Sequence, residues 1–454
     1  MVVLNHMSKT RSLPRKCDCA TLFRQNSVRG AGFCLLLSST LPRATAVAIS
    51  LILLPGPIAH AQVSHDLLWD PALSSRIGAE NISTVHRSLS ALENRYLPPR
   101  WTDENTAVRK TVGISYRMAR SVLIDFPLVY MAALSQHEVF GHGAAYRHVG
   151  GHADEYVLRF PFPYGPGGGL ARPSPGARLR GLEDVWMSAN GVNGNLVLGQ
   201  TVRDQAARRG SLRYDEALLG LAGHLNTPTY IWGTPEDGVS RIGDIASYVS
   251  GLQFYGRDRS SLTLDDLKKR ALVTLADPFA WMAVRALLQY YLWRGSSSSS
   301  LWMLDIGSAK YLPSVHLSLA PFGPEVVLEH LVVRDNQLWT MSMRFGNGPW
   351  GRFAGLGLEI DPLLSTDRLE VGTRSNFWYQ PQVIPNEVRS TPESLPRELG
   401  GRIEATASVR PSSDWPVSGV VTLGYKTEGF VLGEHLDSGP LVELGLRLRR
   451  DPWE

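Results

Sequence analysis

His137, Glu138 and His142 fall in one short segment, His137-Glu138-Val139-Phe140-Gly141-His142. Imidazole nitrogens are donors that zinc accepts where no thiolate is offered, and a glutamate beside them can take a proton from a water that the metal has acidified. The chemistry such a set would do is metal-assisted hydrolysis. The segment opens a dense run, since His148 and His152 follow with Asp154 and Glu155 just after. In the common His-Glu-x-x-His helix the two histidines are four apart and share a face. Here they are five apart, and at about 100° per residue they would diverge by about 140° on a regular α-helix. A one-residue π-bulge, or a helix ending at Gly141, returns both rings to one metal, and Gly141 and Gly143 make that irregularity cheap. Glu138 with His142 has helical i,i+4 spacing and is an alternative ligand pair. The plain competitor is a pair of helix histidines satisfied by carbonyl groups. His148 and His152 flank the Gly150-Gly151 turn and read as solvated loop residues or as a third ligand.

The elements that must hold these groups change character along the chain. Val122 to Leu134, Val185 to Val202, Asp215 to His224 and Leu272 to Trp293 are apolar-rich and helical in pattern, interrupted by Asp125, Pro127, Asp277, Pro278 and Arg285. They suit a soluble helical core or a membrane surface. A run of five serines, Ser296 to Ser300, reads as a linker or loop. After it the period becomes two: Trp339, Met341, Met343 and Phe345 alternate with polar neighbours, as do Val442, Leu444, Leu446 and Leu448. Similar stretches lie at Ser314 to Ala320, Glu325 to Val333, Phe353 to Ile360, Leu369 to Phe377, Arg402 to Val409 and Val420 to Lys426. The expectation is an α+β chain whose last part is an antiparallel barrel or sandwich of about eight strands. Trp339, Trp350, Trp378, Tyr379, Trp415 and Tyr425 would suit the aromatic girdles of a membrane barrel, and the final strand with Trp453 resembles the closing strand of outer-membrane barrels.

The segment His137 to Ala145, followed by Gly150 and the turn-rich Phe160-Pro161-Phe162-Pro163-Tyr164-Gly165, resembles the active-site helix and following strand region of site-2-protease-type zinc peptidases. The departure is the extra residue between Glu138 and His142. Gly191-Val192-Asn193-Gly194-Asn195 is similar to that family's Gly-Pro-x-x-Asn helix without its proline, and Asn226-Thr227-Pro228 with Asp237-Gly238 resembles its Asn-x-x-Pro and Asp-Gly segment, with a longer gap. The resemblance covers residues 121 to 245. It implies His137, His142 and Asp237 as zinc ligands, Glu138 as general base and Asn195 as a steadying group for the substrate carbonyl or oxyanion. The residues also allow plainer readings: Asp237 in a Pro235-Glu236-Asp237-Gly238 turn, His224 as a competing ligand, and Asn193 and Asn195 as caps or cross-links between helices. Gly165 to Gly169 lacks the Lys-Ser/Thr of a phosphate cradle, so no nucleotide site is expected.

The chain of 454 residues, 43% hydrophobic and 19% charged, can bury a real core. Its start is basic, followed by an apolar run from Ala44 to Leu54, the breakers Pro55-Gly56-Pro57 and the small-x-small site Ala59-His60-Ala61. This predicts a signal peptide over residues 1–61, a helical zinc-hydrolase-like domain over 62–300 and the β domain over 301–454. An anchor is the alternative, but the run is short of the roughly 20 apolar residues that a span needs. Cleavage after Ala61 removes Cys17, Cys19 and Cys34, all the cysteines, so no disulfide would brace the exported chain. It also removes seven of 46 basic residues and one of 42 acids, turning a net charge of +4 into −2 and taking away the support for a nucleic-acid partner. The expected activity is zinc-dependent hydrolysis of a peptide or protein at the cell envelope, in contact with outer-membrane lipid. A non-enzymatic envelope protein with a structural metal or none is the competing class, and a non-peptide substrate a third.

Overall fold

The computed structural model describes residues 65–100, 105–174, 182–235, 243–256, 262–383 and 396–448; the expected signal peptide, Asp237 and Trp453 lie outside them. Strand β1 (His65–Trp69) leads into helix α1 (Ser75–Tyr96), which begins where the Ser74 hydroxyl accepts from the Ile77 N–H. A helical run from Ala107 to His148 then changes pitch twice. It comprises α2 (Ala107–Arg120), a π turn over Ser121–Asp125, α3 (Phe126–Ser135), a π segment over Gln136–His142, and α4 (Gly143–His148). The hairpin β2 (Ala153–Leu158) and β3 (Gly169–Pro173) follows. Helix α5 (Glu183–Arg209) is central: Glu183 and Asp184 in its first turn and Arg208 and Arg209 in its last match its dipole, and Gly210 at φ +65° ends it. Then come β4 (Ser211–Arg213), α6 (Tyr214–His224), α7 (Asn226–Gly233), α8 (Asp244–Gly256) and α9 (Leu264–Ala271). After a 3-10 turn over Leu272–Ala276, α10 (Pro278–Arg285) continues into a π segment over Ala286–Trp293.

The serine run is not a slack linker. Ser298–Ser300 forms β5, antiparallel to β4, with Ser299 buried and its hydroxyl donating to Leu212 O at 3.4 Å. Small hydroxyl side chains let the two backbones pair tightly under the helices. The apolar cores also cross this point, one joining Trp186, Ile245 and Tyr248 to Leu317, Phe322 and Phe353, the other joining Val202, Ala206 and Phe279 to Leu312, Leu331 and Leu338.

The remaining strands are β6 (Leu304–Ile306), β7 (Ala309–Ala320), β8 (Gly323–Arg334), β9 (Gln337–Gly348), β10 (Gly351–Ser365), β11 (Leu369–Pro381), β12 (Arg397–Val409), β13 (Val417–Lys426) and β14 (Gly439–Leu448). They form an antiparallel meander, and β1 adds beside β14 to make ten strands in the order β1-β14-β13-β12-β11-β10-β9-β8-β7-β6. Two expectations are corrected here: the sheet has ten strands rather than eight, and among the described residues its ends do not pair, so it is open and not a barrel closed strand to strand. The edges show why. At β1, Asn81 exchanges hydrogen bonds with the Leu68 backbone and Thr84 donates to Asp66 O. At β7, Asp277 accepts from Val315 N–H, Thr274 from Leu317 N–H, and Asn193 both donates to Leu319 O and accepts from its N–H. Helix side chains thus satisfy the groups that a closing strand would have used.

Beside its apolar core residues, the inward face of the sheet carries many buried charges. Arg203 of α5 meets Glu329 and Ser314, Arg76 of α1 meets Glu443 and Glu404, and Arg447 pairs with Asp66 and Glu370. Trp350 and Trp378, two of the aromatics expected at an interface, are buried within. Removing one partner of a buried pair strands the other charge, at about 3–5 kcal/mol. Arg203→Met is expected to lower the unfolding free energy by about that amount, read as an earlier denaturant midpoint.

Candidate metal centre

The π segment resolves the five-residue spacing. Its five-residue hydrogen-bond repeat is seen where the Gly143 N–H donates to Glu138 O, and the wider turn brings positions 137 and 142 back to one face. The His137 and His142 rings lie 4.9 Å apart, nearly perpendicular. Their Nε2 atoms converge on one oxygen, Asp244 Oδ2, at 2.8 and 3.2 Å. The carbonyls that the irregular turn frees are met from outside, Gly141 O by Asn190 Nδ2 at 2.8 Å and Phe140 O by Ser75 Oγ at 2.7 Å.

The groups behind the imidazoles fix which nitrogen faces forward. His142 Nδ1 lies 2.9 Å from Met187 O, so it carries the proton and leaves the Nε2 lone pair for a cation. His137 Nδ1 lies 3.4 Å from the Asn195 amide, whose Oδ1 is buried without a hydrogen-bond partner. Turned over, that amide offers Oδ1 to an Nδ1–H, the tautomer in which Nε2 coordinates. Asn195 therefore touches the back of a ligand rather than the open side of the site.

The residues fit a metal in a further respect. A Cβ on Gly191 would lie 2.5 Å from Nε2 of both His137 and His142, so this glycine keeps clear the point toward which both rings aim. A Cβ on Gly141 would in turn meet Gly191 Cα at 2.7 Å, which is why the π segment and α5 can approach so closely. Gly191→Ala is expected to reduce bound metal to background while far-ultraviolet circular dichroism stays unchanged. A variant that loads metal like the parent would show that the cation sits elsewhere.

Electrostatics suit the same centre. Burial works to raise the Asp244 carboxyl, but the neighbouring His142 and His137 outweigh it and hold the group well below the usual carboxylate range. The Tyr230 ring lies 6.0 Å from that of His137; burial and the Asp244 charge push its phenol up to about 12, so it is an O–H donor at neutral pH. Glu138 stays outside the converging trio. Its carboxylate accepts from the Ala171 backbone on β3, and a Cβ on Gly169 would come within 2.6 Å of Glu138 Oε1.

Of the residues that the sequence singled out, the structure brings His137, His142, Glu138 and Asn195 together. Asp237 lies outside the described residues, and the aspartate that meets the histidines is Asp244, at the start of α8. His224 is deep in the interior, 3.3 Å from Asp277 and beside His316. His152 is on the surface, 3.2 Å from Asp154. His148 forms a separate cluster with Asp437 and Glu183, each of them engaged in further contacts. Asn193 is a cross-link to the sheet edge. Asp244 and Tyr230 escaped the sequence reading, and the only trace of Asp244 is a glycine-aspartate pair, Gly243-Asp244, opening a helix. Comparison with protein-family models, curated proteins and solved structures finds no match for the chain.

Proposed function

We propose that this protein is a zinc-dependent peptide hydrolase of the cell envelope, seated in the outer membrane. One observation carries the reading: His137, His142 and Asp244 turn their donor atoms to a point that Gly191 keeps open, with Glu138 beside them and outside the ligand set. His137, His142 and Asp244 would hold the zinc, which would supply Lewis acidity and make a nearby water easier to deprotonate. Glu138 removes the proton of the attacking water and returns it to the leaving amine. Tyr230 is the nearby donor for charge developing on the carbonyl oxygen. Asn195 and the Met187 carbonyl hold the two imidazoles in orientation. The envelope part of the reading is supported by the basic, apolar and small-x-small sequence over residues 1–61 and by the cysteine-free remainder.

Two histidines and a carboxylate also suit ferrous iron, so the metal itself is the first readout. Elemental analysis of the purified full chain is expected to give about one zinc per chain. Hydrolysis of a mixed peptide library should be lost on chelation and return with added zinc. Iron in the site, or hydrolysis that survives chelation, would overturn the reading.

A further inference from the structure

The sheet has its polarity reversed relative to a soluble one. Inward positions carry Glu329, Arg344, Arg402, Glu404 and Arg447, all buried, while the alternate outward positions carry Leu356, Phe377, Ile403, Leu423, Leu444 and Leu446, all exposed. Water-facing sheets put polar groups outward, and a continuous apolar face over many strands exceeds the patches that soluble monomers expose. Strands β9 to β14 run 10 to 15 residues, and about 9–11 tilted residues cross a bilayer core. Outward aromatics gather toward the two rims. Phe345, Tyr379 and Tyr425 approach the strand ends on one side, and Trp339 and Trp415 lie at the turns on the other, as interfacial girdles do.

The helices continue this surface where the sheet stops. From the β1 edge, α1 is tied to α2 by Arg120 with Glu93, and α2 to the segment Ala286–Trp293 by Arg117 donating to Leu292 O. That helix leads back through Asp277 to the edge of β7. The outer ridges of this arc are apolar and exposed, with Val112, Val122 and Phe126 on one helix and Trp281 and Leu288 on the other. By length and composition the run Ala107–His148 is long and apolar enough to cross a bilayer core, and its most apolar stretch is largely exposed, unlike the core helix of a soluble protein.

We propose that lipid acyl chains cover the outward sheet face and these helix ridges as one belt, the helices completing a membrane-embedded wall that the strands leave open. The proposal rests on the envelope part of the reading above and not on the hydrolytic chemistry. A second copy is a poorer occupant, because the apolar surface runs around sheet and helices alike, whereas a two-fold interface covers one patch.

The test uses the full chain, purified in detergent and transferred to phosphatidylcholine vesicles with brominated acyl chains. Tryptophan emission should fall relative to unbrominated vesicles, and both Trp69→Phe on β1 and Trp281→Phe on α10 should diminish that loss. Quenching that Trp281→Phe leaves untouched would remove the helices from the belt and overturn the composite wall. A chain that stays monodisperse without detergent and unquenched, as monomer or as oligomer, would overturn the lipid contact altogether. Amino-terminal sequencing of the cell-fractionated protein reads export separately, so a soluble exported chain with full hydrolytic activity would sink this proposal and leave the enzyme reading standing.

Discussion

Glu138→Gln is expected to keep the metal content of the parent and to lose peptide hydrolysis by about two to four orders of magnitude, the usual contribution of a positioned general acid or base. The separation of the two readouts follows from geometry. Glu138 contributes nothing to the trio that converges at Gly191, so an amide in its place removes no ligand. The Ala171 N–H can still be accepted by the amide oxygen, so the side chain keeps its place. What is lost is the capacity to take a proton. The measurement is kcat on metal-loaded variant and parent side by side. Turnover within a few-fold of the parent would remove Glu138 from the proton-transfer role. Joint loss of metal and turnover would make it a ligand, the alternative that its i,i+4 relation to His142 allows.

What could be read in advance follows from how local each signal is. His137 and His142 announce a break in regular helix because a five-residue gap brings two rings to one cation only if the helix widens or ends at Gly141, and that conflict is visible within six residues; the structure takes the first course, a π segment. The strand alternation after residue 300 is likewise local. Period two does not say which face turns inward, however, and the choice is made by Arg76 and Arg203 on distant helices, whose charges need Glu443, Glu404 and Glu329 as partners. The failure of the sheet to close was also out of sight, since it depends on single side chains such as Asn81 and Asp277 finding strand backbones far away in sequence. Five serines suggested slack by composition, and only pairing with Ser211–Arg213 makes them a strand. Asp244 is the hardest case. A carboxylate in the first turn of a helix has an ordinary explanation in the helix dipole, and its meeting with the histidines is decided by how α8 lies across α5.

Exchanging the third ligand gives the second large effect. Asp244→Ala is expected to lose zinc by more than the 10–100-fold that removal of a supporting partner costs, because it deletes a donor atom and the negative charge that offsets the cation. Asp237→Ala is expected to bind zinc like the parent. Because the metal binds the folded state, added zinc should raise the melting temperature of the parent and of Asp237→Ala and leave that of Asp244→Ala where it was. The pH dependence has a fixed sign. Imidazoles must be neutral to coordinate, so protons compete with zinc for the ligand nitrogens and binding weakens as pH falls. The zinc-induced rise in melting temperature therefore shrinks as pH is lowered. The reverse result, zinc lost from Asp237→Ala and retained in Asp244→Ala, would hand the third position to the Asp-Gly segment and leave the 2.8 Å approach of Asp244 to His137 as an ion pair without a catalytic consequence.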